Sequence, residues 1–332
     1  MAGCKALSGG ALREVVGRSQ GILFDCDGVL WSGERPVPGA PELLDRLGRG
    51  GKAAFFVSNN SRRSRQDLQR RFSRLGFRGV AAERLFSSAL CSALLLRHRL
   101  LGPNEAGDPR RAPSGPSAPS APSAPSGAVF VLGGEGLRGE LRAAGLRLAG
   151  EADTAPPPGP EPRAAGEAGG PPDAHPPPVR AVLVGYDDRF TFDKLSQACT
   201  YLRDPDCLLV ATDLDPWHPL SDGRRTPGTG SLVAAVETAS GRQALVVGKP
   251  STYMFECITE RFDLDPARTL MVGDRLETDI LFGHRCGLTT VLTLTGVSQL
   301  EEAQAYMASG QPDLVPDYYV DSIADLIAGL ED

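Results

Sequence analysis

The feature that most restricts this chain is a series of short runs, each four to six residues long, that are apolar at nearly every position: 21–24, 52–57, 128–132, 181–184, 207–211, 244–247, 269–272 and 289–292. A strand that is apolar on both faces must be covered on both, and parallel sheets flanked by helices provide that cover. Between the runs lie stretches with helical spacing at 41–49, 64–75, 85–97, 192–202, 231–240, 251–262, 277–286, 299–309 and 322–330. Alternation of this kind predicts an α/β fold with a doubly wound parallel sheet, in which ligands bind beyond the carboxyl ends of the strands.

Four strand ends carry polar clusters. The run 21–24 leads into Asp25-Cys26-Asp27-Gly28, two carboxylates two residues apart with a glycine for a tight turn. The run 52–57 leads into Ser58-Asn59-Asn60-Ser61-Arg62-Arg63. Ser58, Asn59, Asn60 and Arg62 there are candidate donors to a phosphoryl oxyanion, which needs several at fixed directions. The run 244–247 ends at Gly248 and Lys249, a cation able to neutralise crowded carboxylates and phosphate. The run 269–272 ends at Gly273 and Asp274, with Glu277 and Asp279 following. Acids gathered at one rim repel one another unless a cation joins them, and hard oxygen ligands favour Mg²⁺. Each cluster alone also fits a turn or a helix cap.

Composition excludes other classes. The net charge is −6, which offers no nucleic-acid or anionic-membrane surface, and no run of about 18 apolar residues is present to span a bilayer. Seven cysteines form no CxxC pair, which points away from a disulfide framework or zinc cluster and towards a reducing compartment, with the cytoplasm as default. Cys26 flanks a candidate catalytic carboxylate; an inert buried thiol is the reading preferred over an oxidant-sensitive one. Seventeen of the 28 prolines fall in 102–127 and 151–178, stretches with almost no large apolar residues. Such stretches cannot bury enough surface to offset their ordering entropy, so both are read as disordered loops.

Four motifs in this order at four strand ends resemble the haloacid dehalogenase-like phosphatase superfamily. The resemblance implies a Rossmann-like core with a cap, Asp25 as nucleophile and Asp27 as acid/base. It also implies Ser58 and Lys249 as phosphate-site residues, and Mg²⁺ held by Asp25, the Asp27 backbone carbonyl and Asp274, with Asp279 orienting the metal's water shell. Only 30 residues separate Asp27 from Ser58, whereas 188 separate Asn60 from Lys249 and include a second alternating set. The cap therefore enters after the second motif. The catalytic core is placed at 1–101 and 243–332, and an inserted α/β cap domain at 102–242.

The stretches 24–31, 57–63, 215–222, 226–231 and 248–251 are further similar to the pyridoxal phosphate phosphatases, across essentially the whole chain outside the Pro-rich tracts. That resemblance implies a small-molecule phosphate ester as substrate, pyridoxal 5′-phosphate (PLP) in particular, with a phosphorylated protein of the cofilin type as a second substrate and an association with the actin cytoskeleton. In the cap, His218 and Tyr186 are candidate walls for a planar pyridine ring, although Trp217 and Leu220 packing the cap is an equally good reading of that loop. The apolar residues of 231–240 suit either a homodimer interface in the cap or the cap's own core, and the resemblance implies the homodimer. Phosphoglycolate phosphatase shares the core motifs and stands as the alternative activity, a phosphotransferase sharing the aspartyl phosphate as another, and a catalytically idle scaffold as the alternative class. No expected carboxylate is missing, which favours an enzyme.

Because the Pro-rich tracts lie away from the four motifs, replacing 103–126 and 152–177 with short linkers is expected to leave kcat/KM within roughly threefold. Steady-state kinetics of the shortened chain checks this, and a large loss would mean that a tract reaches the active site or orders the cap.

Overall fold

All eight apolar runs form strands, but they divide between two sheets. The computed structural model describes residues 4–102, 127–151, 177–219 and 224–330. The reading of the Pro-rich tracts as disordered loops therefore lies outside the described residues, as does the role of Leu220.

The larger sheet has seven strands in the order Lys5–Ala6, Tyr318–Val320, Thr289–Thr293, Thr269–Gly273, Gly21–Phe24, Ala53–Ser58, Leu85–Ser87. Every neighbouring pair is parallel. The central register sets Phe24 beside Val272 on one side and Phe56 on the other, so the first, second and fourth motifs leave adjacent strands at the same edge. Leu23, Phe55, Val57 and Met271 fill one side of this sheet, and Ile22, Phe24, Phe56 and Val272 the other, as period-two alternation requires.

The smaller sheet, also parallel, runs Leu245–Val246, Leu208–Ala211, Val179–Val184, Ala128–Leu132, Arg147–Leu148. This corrects one expectation. The run 244–247 falls within the expected catalytic core, yet Leu245 and Val246 pair with Val210 and Ala211 at the edge of the second sheet. The pairing continues through Val247 N–H to Ala211 O and Gly248 N–H to Thr212 O. Lys249 thus reaches the core's carboxylates from the cap's sheet.

Other boundaries shift for local reasons. Residues 85–87 of the expected helix 85–97 extend the larger sheet, and the helix Ser88–Leu101 starts after Ser87, whose hydroxyl accepts from Leu90 N–H. The expected helix 277–286 opens with a wide π-type turn, Leu276–Ile280, before Leu281–Arg285. Gly133 and Gly134 lead from the strand Ala128–Leu132 directly into the helix Glu135–Ala143, and the helix Gly9–Arg18 has no counterpart among the expected elements. In the helix Thr229–Ser240, Val233 and Val236 are buried in the cap's own core, which absorbs part of the apolar face considered for a dimer.

Candidate active site

Asp25 follows the strand Gly21–Phe24 directly, and its N–H donates to Val272 O at 2.9 Å, continuing the sheet pairing past the strand's end. Gly28 then turns the chain with φ +91°. A β-carbon there would lie 2.4 Å from Asp274 Oδ2, so only glycine lets the first motif pass this close to the fourth. Asp274 follows Thr269–Gly273, with its Oδ2 accepting from Val297 N–H at 2.8 Å.

Lys249 ties these ends together. Its side chain is buried, and its ammonium donates to Asp25 Oδ1 at 2.5 Å, to Asp279 Oδ1 at 2.7 Å and to Val57 O at 3.1 Å, using all three protons. Asn59 holds the Lys249 backbone from both sides: its Oδ1 accepts from Lys249 N–H at 2.8 Å and its Nδ2 donates to Lys249 O at 3.0 Å. Its side chain also reaches Asp215 Oδ1, at 3.2 Å. The Asn59 side-chain amide is therefore spent on positioning Lys249, and any contact from Asn59 to a phosphoryl oxygen falls to its backbone. Ser58 is buried at the end of Ala53–Ser58, where its Oγ accepts from Asn60 N–H at 3.2 Å.

The remaining first-motif acid is set apart from this cluster. Asp27 is exposed; its Oδ1 accepts from the indole N–H of Trp31 at 2.8 Å, and Asn60 Nδ2 lies 3.4 Å from its Oδ2. Asp25, Asp274 and Asp279 instead bring carboxylate oxygens within 4.8 Å of one another, all three buried. Burial pushes Asp25 well above the usual carboxylate range; Lys249 opposes this, while Asp279 and Asp274 add to it. Burial, then Asp279, pushes Asp274 up to about 7. For Lys249 burial acts to lower the pKa, and the two carboxylates more than reverse it.

One buried ammonium among three buried carboxylates leaves an excess of negative charge that a divalent cation would neutralise. The donor set fits such an ion. Asp25 Oδ2 and Asp274 Oδ1 accept no hydrogen bond from described residues, so each has a free oxygen. Asp279 has none: its Oδ1 takes Lys249, and its Oδ2 takes the N–H groups of Asp274 and Arg275, both at 3.1 Å. Its oxygens therefore support the neighbouring groups, behind Asp25 and Asp274.

The segments that follow strands Val179–Val184 and Leu208–Ala211 of the smaller sheet supply ring surfaces. Tyr186 and His218 approach to 5.7 Å between ring centroids, and the Arg62 guanidinium lies 4.6 Å over the Tyr186 ring. The three candidates drawn from separate segments thus form one group. Burial lowers the His218 pKa, which favours the neutral ring. Trp217–Pro219 and Arg225–Pro227 form a two-stranded antiparallel ribbon, so His218 sits on a paired strand where a loop was expected. Sequence reasoning missed two residues that fix this ribbon to the core. Asp215 accepts from Asn59, and Arg275, next to Asp274, lies 3.7 Å from Asp215 Oδ1 and has its guanidinium 5.0 Å from the Trp217 ring. The place of Arg275 directly after a candidate metal ligand was the one available signal. Cys26 is fully buried with its thiol pushed up by burial, which agrees with the inert reading.

Comparisons with known proteins agree with this geometry. Residues 22–147 match a family model described as haloacid dehalogenase-like hydrolase, and residues 246–326 match a second, HAD-hydrolase-like model. The chain is 70% identical to chronophin from Homo sapiens over 332 residues, all of both chains, and 49% identical to glycerol-3-phosphate phosphatase from Gallus gallus over 99% of this chain and 97% of that one. Among solved structures it resembles a p-nitrophenyl phosphatase from Archaeoglobus fulgidus, with TM-score 0.72 and 28% identity, covering 94% of this chain and 99% of that one. It also resembles a glycerol phosphate phosphatase from Mycobacterium tuberculosis in complex with magnesium, with TM-score 0.70 and 27% identity, covering 96% and 79%.

Removing the ammonium leaves the three carboxylates uncompensated. Lys249→Met is expected to reduce kcat at least 100-fold and to lower the unfolding free energy by about 3–5 kcal/mol. Urea denaturation beside steady-state kinetics checks both; unchanged stability would mean that the charges are balanced elsewhere.

Proposed function

The chain belongs to the haloacid dehalogenase-like hydrolases and is a phosphoric monoester hydrolase of the chronophin group, and from that premise we propose that it hydrolyses PLP and related vitamin B6 phosphates with Mg²⁺ through a phosphoaspartate at Asp25. The observation that carries the choice of substrate is the Tyr186–His218 pair, with its ring centroids 5.7 Å apart and His218 within electrostatic reach of Asp27. The core handles a phosphoryl group common to every candidate, so discrimination falls to whatever meets the leaving group. Two ring faces suit a planar pyridine better than the glycerol chain named in the more distant relatives, or a glycolate.

The residues present define the steps. The Ser58 hydroxyl receives a phosphoryl oxygen, with Asn60 and Arg62 beside it, while the Lys249 ammonium, whose three protons go to Asp25, Asp279 and Val57 O, offsets the phosphoryl charge through space. Mg²⁺ held by Asp25, Asp274 and the Asp27 backbone carbonyl supplies, when bound, neutralisation of the phosphoryl charge. Asp25 attacks phosphorus, the ester P–O bond breaks, and protonated Asp27 gives its proton to the departing alkoxide. Asp27, now a carboxylate, takes a proton from water as that water attacks the phosphorus of the phosphoaspartate. Inorganic phosphate leaves, Asp25 is a carboxylate again, and Asp27 is protonated for the next cycle. A phosphoserine side chain presents the same alkyl ester, so a cofilin-type phosphoprotein is proposed as a second substrate. A homodimer through the cap and a cytoplasmic site of action associated with the actin cytoskeleton belong to the same reading.

The expected outcome is that PLP is turned over with higher kcat/KM than glycerol 3-phosphate or phosphoglycolate, that chelation stops turnover and Mg²⁺ restores it, and that Asp25→Asn, correctly folded, loses several orders of magnitude. His218→Ala is expected to cost ~1–2 kcal/mol in kcat/KM for PLP and less for p-nitrophenyl phosphate. Preference for glycerol 3-phosphate or phosphoglycolate in the side-by-side assay, or equal losses for both esters on His218→Ala, would overturn the substrate assignment. Near-normal turnover by Asp25→Asn would overturn the chemistry.

A further inference from the structure

The chain between Cys26 and Trp31 curls back on itself: Leu30 N–H donates to Cys26 O at 2.9 Å and Gly28 N–H to Trp31 O at 2.7 Å. This turn brings the indole of Trp31 beneath Asp27, where Nε1–H donates to Asp27 Oδ1 at 2.8 Å. The two partners differ sharply in environment. Asp27 is exposed, whereas Trp31 is 1% exposed and fixed on several sides. Phe72 and Phe77 meet its ring edge-to-face at 4.9 and 6.0 Å, and the Arg71 guanidinium lies 5.0 Å over it. Arg71 is itself buried and held by Glu34 Oε1 at 2.5 Å and by Gly33 O. The indole therefore has one orientation, set by the hydrophobic core, and its N–H has one direction.

We propose that Trp31 is the positioning residue for the general acid, locking the Asp27 carboxyl through its indole N–H so that the proton delivered to the leaving group sits on Oδ2. The inference rests on the reading of Asp27 as general acid given above. An indole N–H can only donate, so the oxygen it faces is kept as an acceptor and the acid proton is confined to the other oxygen. The contact there, Asn60 Nδ2 at 3.4 Å, is long enough to yield to a leaving group. Without the indole N–H the exposed carboxyl turns freely and its proton occupies either oxygen, so only part of the population presents it to the ester oxygen.

The consequence is selective. A poor leaving group, such as the primary alkoxide of PLP, needs the proton in the transition state; p-nitrophenolate departs largely without it. Trp31→Phe keeps a ring for Phe72, Phe77 and Arg71 and removes the N–H. Replacement of Trp31 by benzothienylalanine, which puts sulfur where the N–H was, changes the shape still less and covers the case in which the phenylalanine variant does not fold. With Tm as the check on folding, either replacement is expected to lower kcat/KM for PLP by 10-fold or more while changing kcat/KM for p-nitrophenyl phosphate by less than threefold; kcat/KM is the quantity read because it reports phosphoaspartate formation and not the water attack that Asp27 assists for both esters. Asp27→Ala, measured beside them, should show the same preference in kcat/KM more strongly. If Asp27→Ala shows no dependence on leaving group, the general-acid reading itself fails. If Asp27→Ala shows it while the folded Trp31 variants lose both activities equally, or neither, the positioning role of Trp31 is overturned and the residue is structural.

Discussion

Everything in the site depends on one ammonium shared between two buried carboxylates. Lys249 sits between Asp25 and Asp279, at 2.5 and 2.7 Å, in a place where none of the three charges is stable alone. The cost of burying such a group is several kcal/mol per ion, repaid only where geometry is tight and the remaining donors and acceptors are satisfied. Here they are: the third proton of Lys249 goes to Val57 O, and the far oxygen of Asp279 takes two backbone N–H groups. The arrangement holds Asp25, the proposed nucleophile, in position before any substrate arrives, which is the preorganisation that electrostatic catalysis requires.

That ammonium also joins the two sheets. Lys249 is delivered by the edge of the smaller sheet, its backbone is clamped by Asn59 from the larger one, and the same Asn59 amide reaches Asp215 at the foot of the ribbon that carries His218. Arg275, immediately after Asp274, approaches Asp215 and Trp217 from the core. The buried carboxylate cluster and the ring-bearing residues are thus parts of one hydrogen-bonded and stacked network.

Much of this was legible in the chain. Strands apolar at every position declared a parallel, doubly covered sheet, and the polar residues just after 21–24, 52–57 and 269–272 could only gather at one edge. The run 244–247 shows the limit: its composition is that of any buried strand, and composition does not say which sheet a strand joins. The partner of the Asn59 side chain was hidden for a related reason, since an amide after a strand is equally suited to an oxyanion and to a neighbour's backbone, and only the approach of Gly248 and Lys249 decides between them. There a β-carbon on Gly248 would lie 2.6 Å from Asn59 Oδ1, so the fit depends on a contact between residues 189 apart in sequence. Asp215 opens the stretch 215–222 but nothing in that stretch announces its contact with Asn59, the helix Gly9–Arg18 carries no motif, and short strands such as Lys5–Ala6 and Tyr318–Val320 are too brief for period-two alternation to register.

The central claim is that Asp25 carries the phosphoryl group during turnover. It is tested most directly by quenching the wild-type enzyme during PLP turnover, reducing with borohydride and mapping the modified residue by peptide mass spectrometry. An acyl phosphate on Asp25 is reduced to homoserine at position 25, and this account predicts that product there, dependent on substrate and on Mg²⁺. Reduction at another carboxylate, or none at any under conditions where turnover is running, would contradict it.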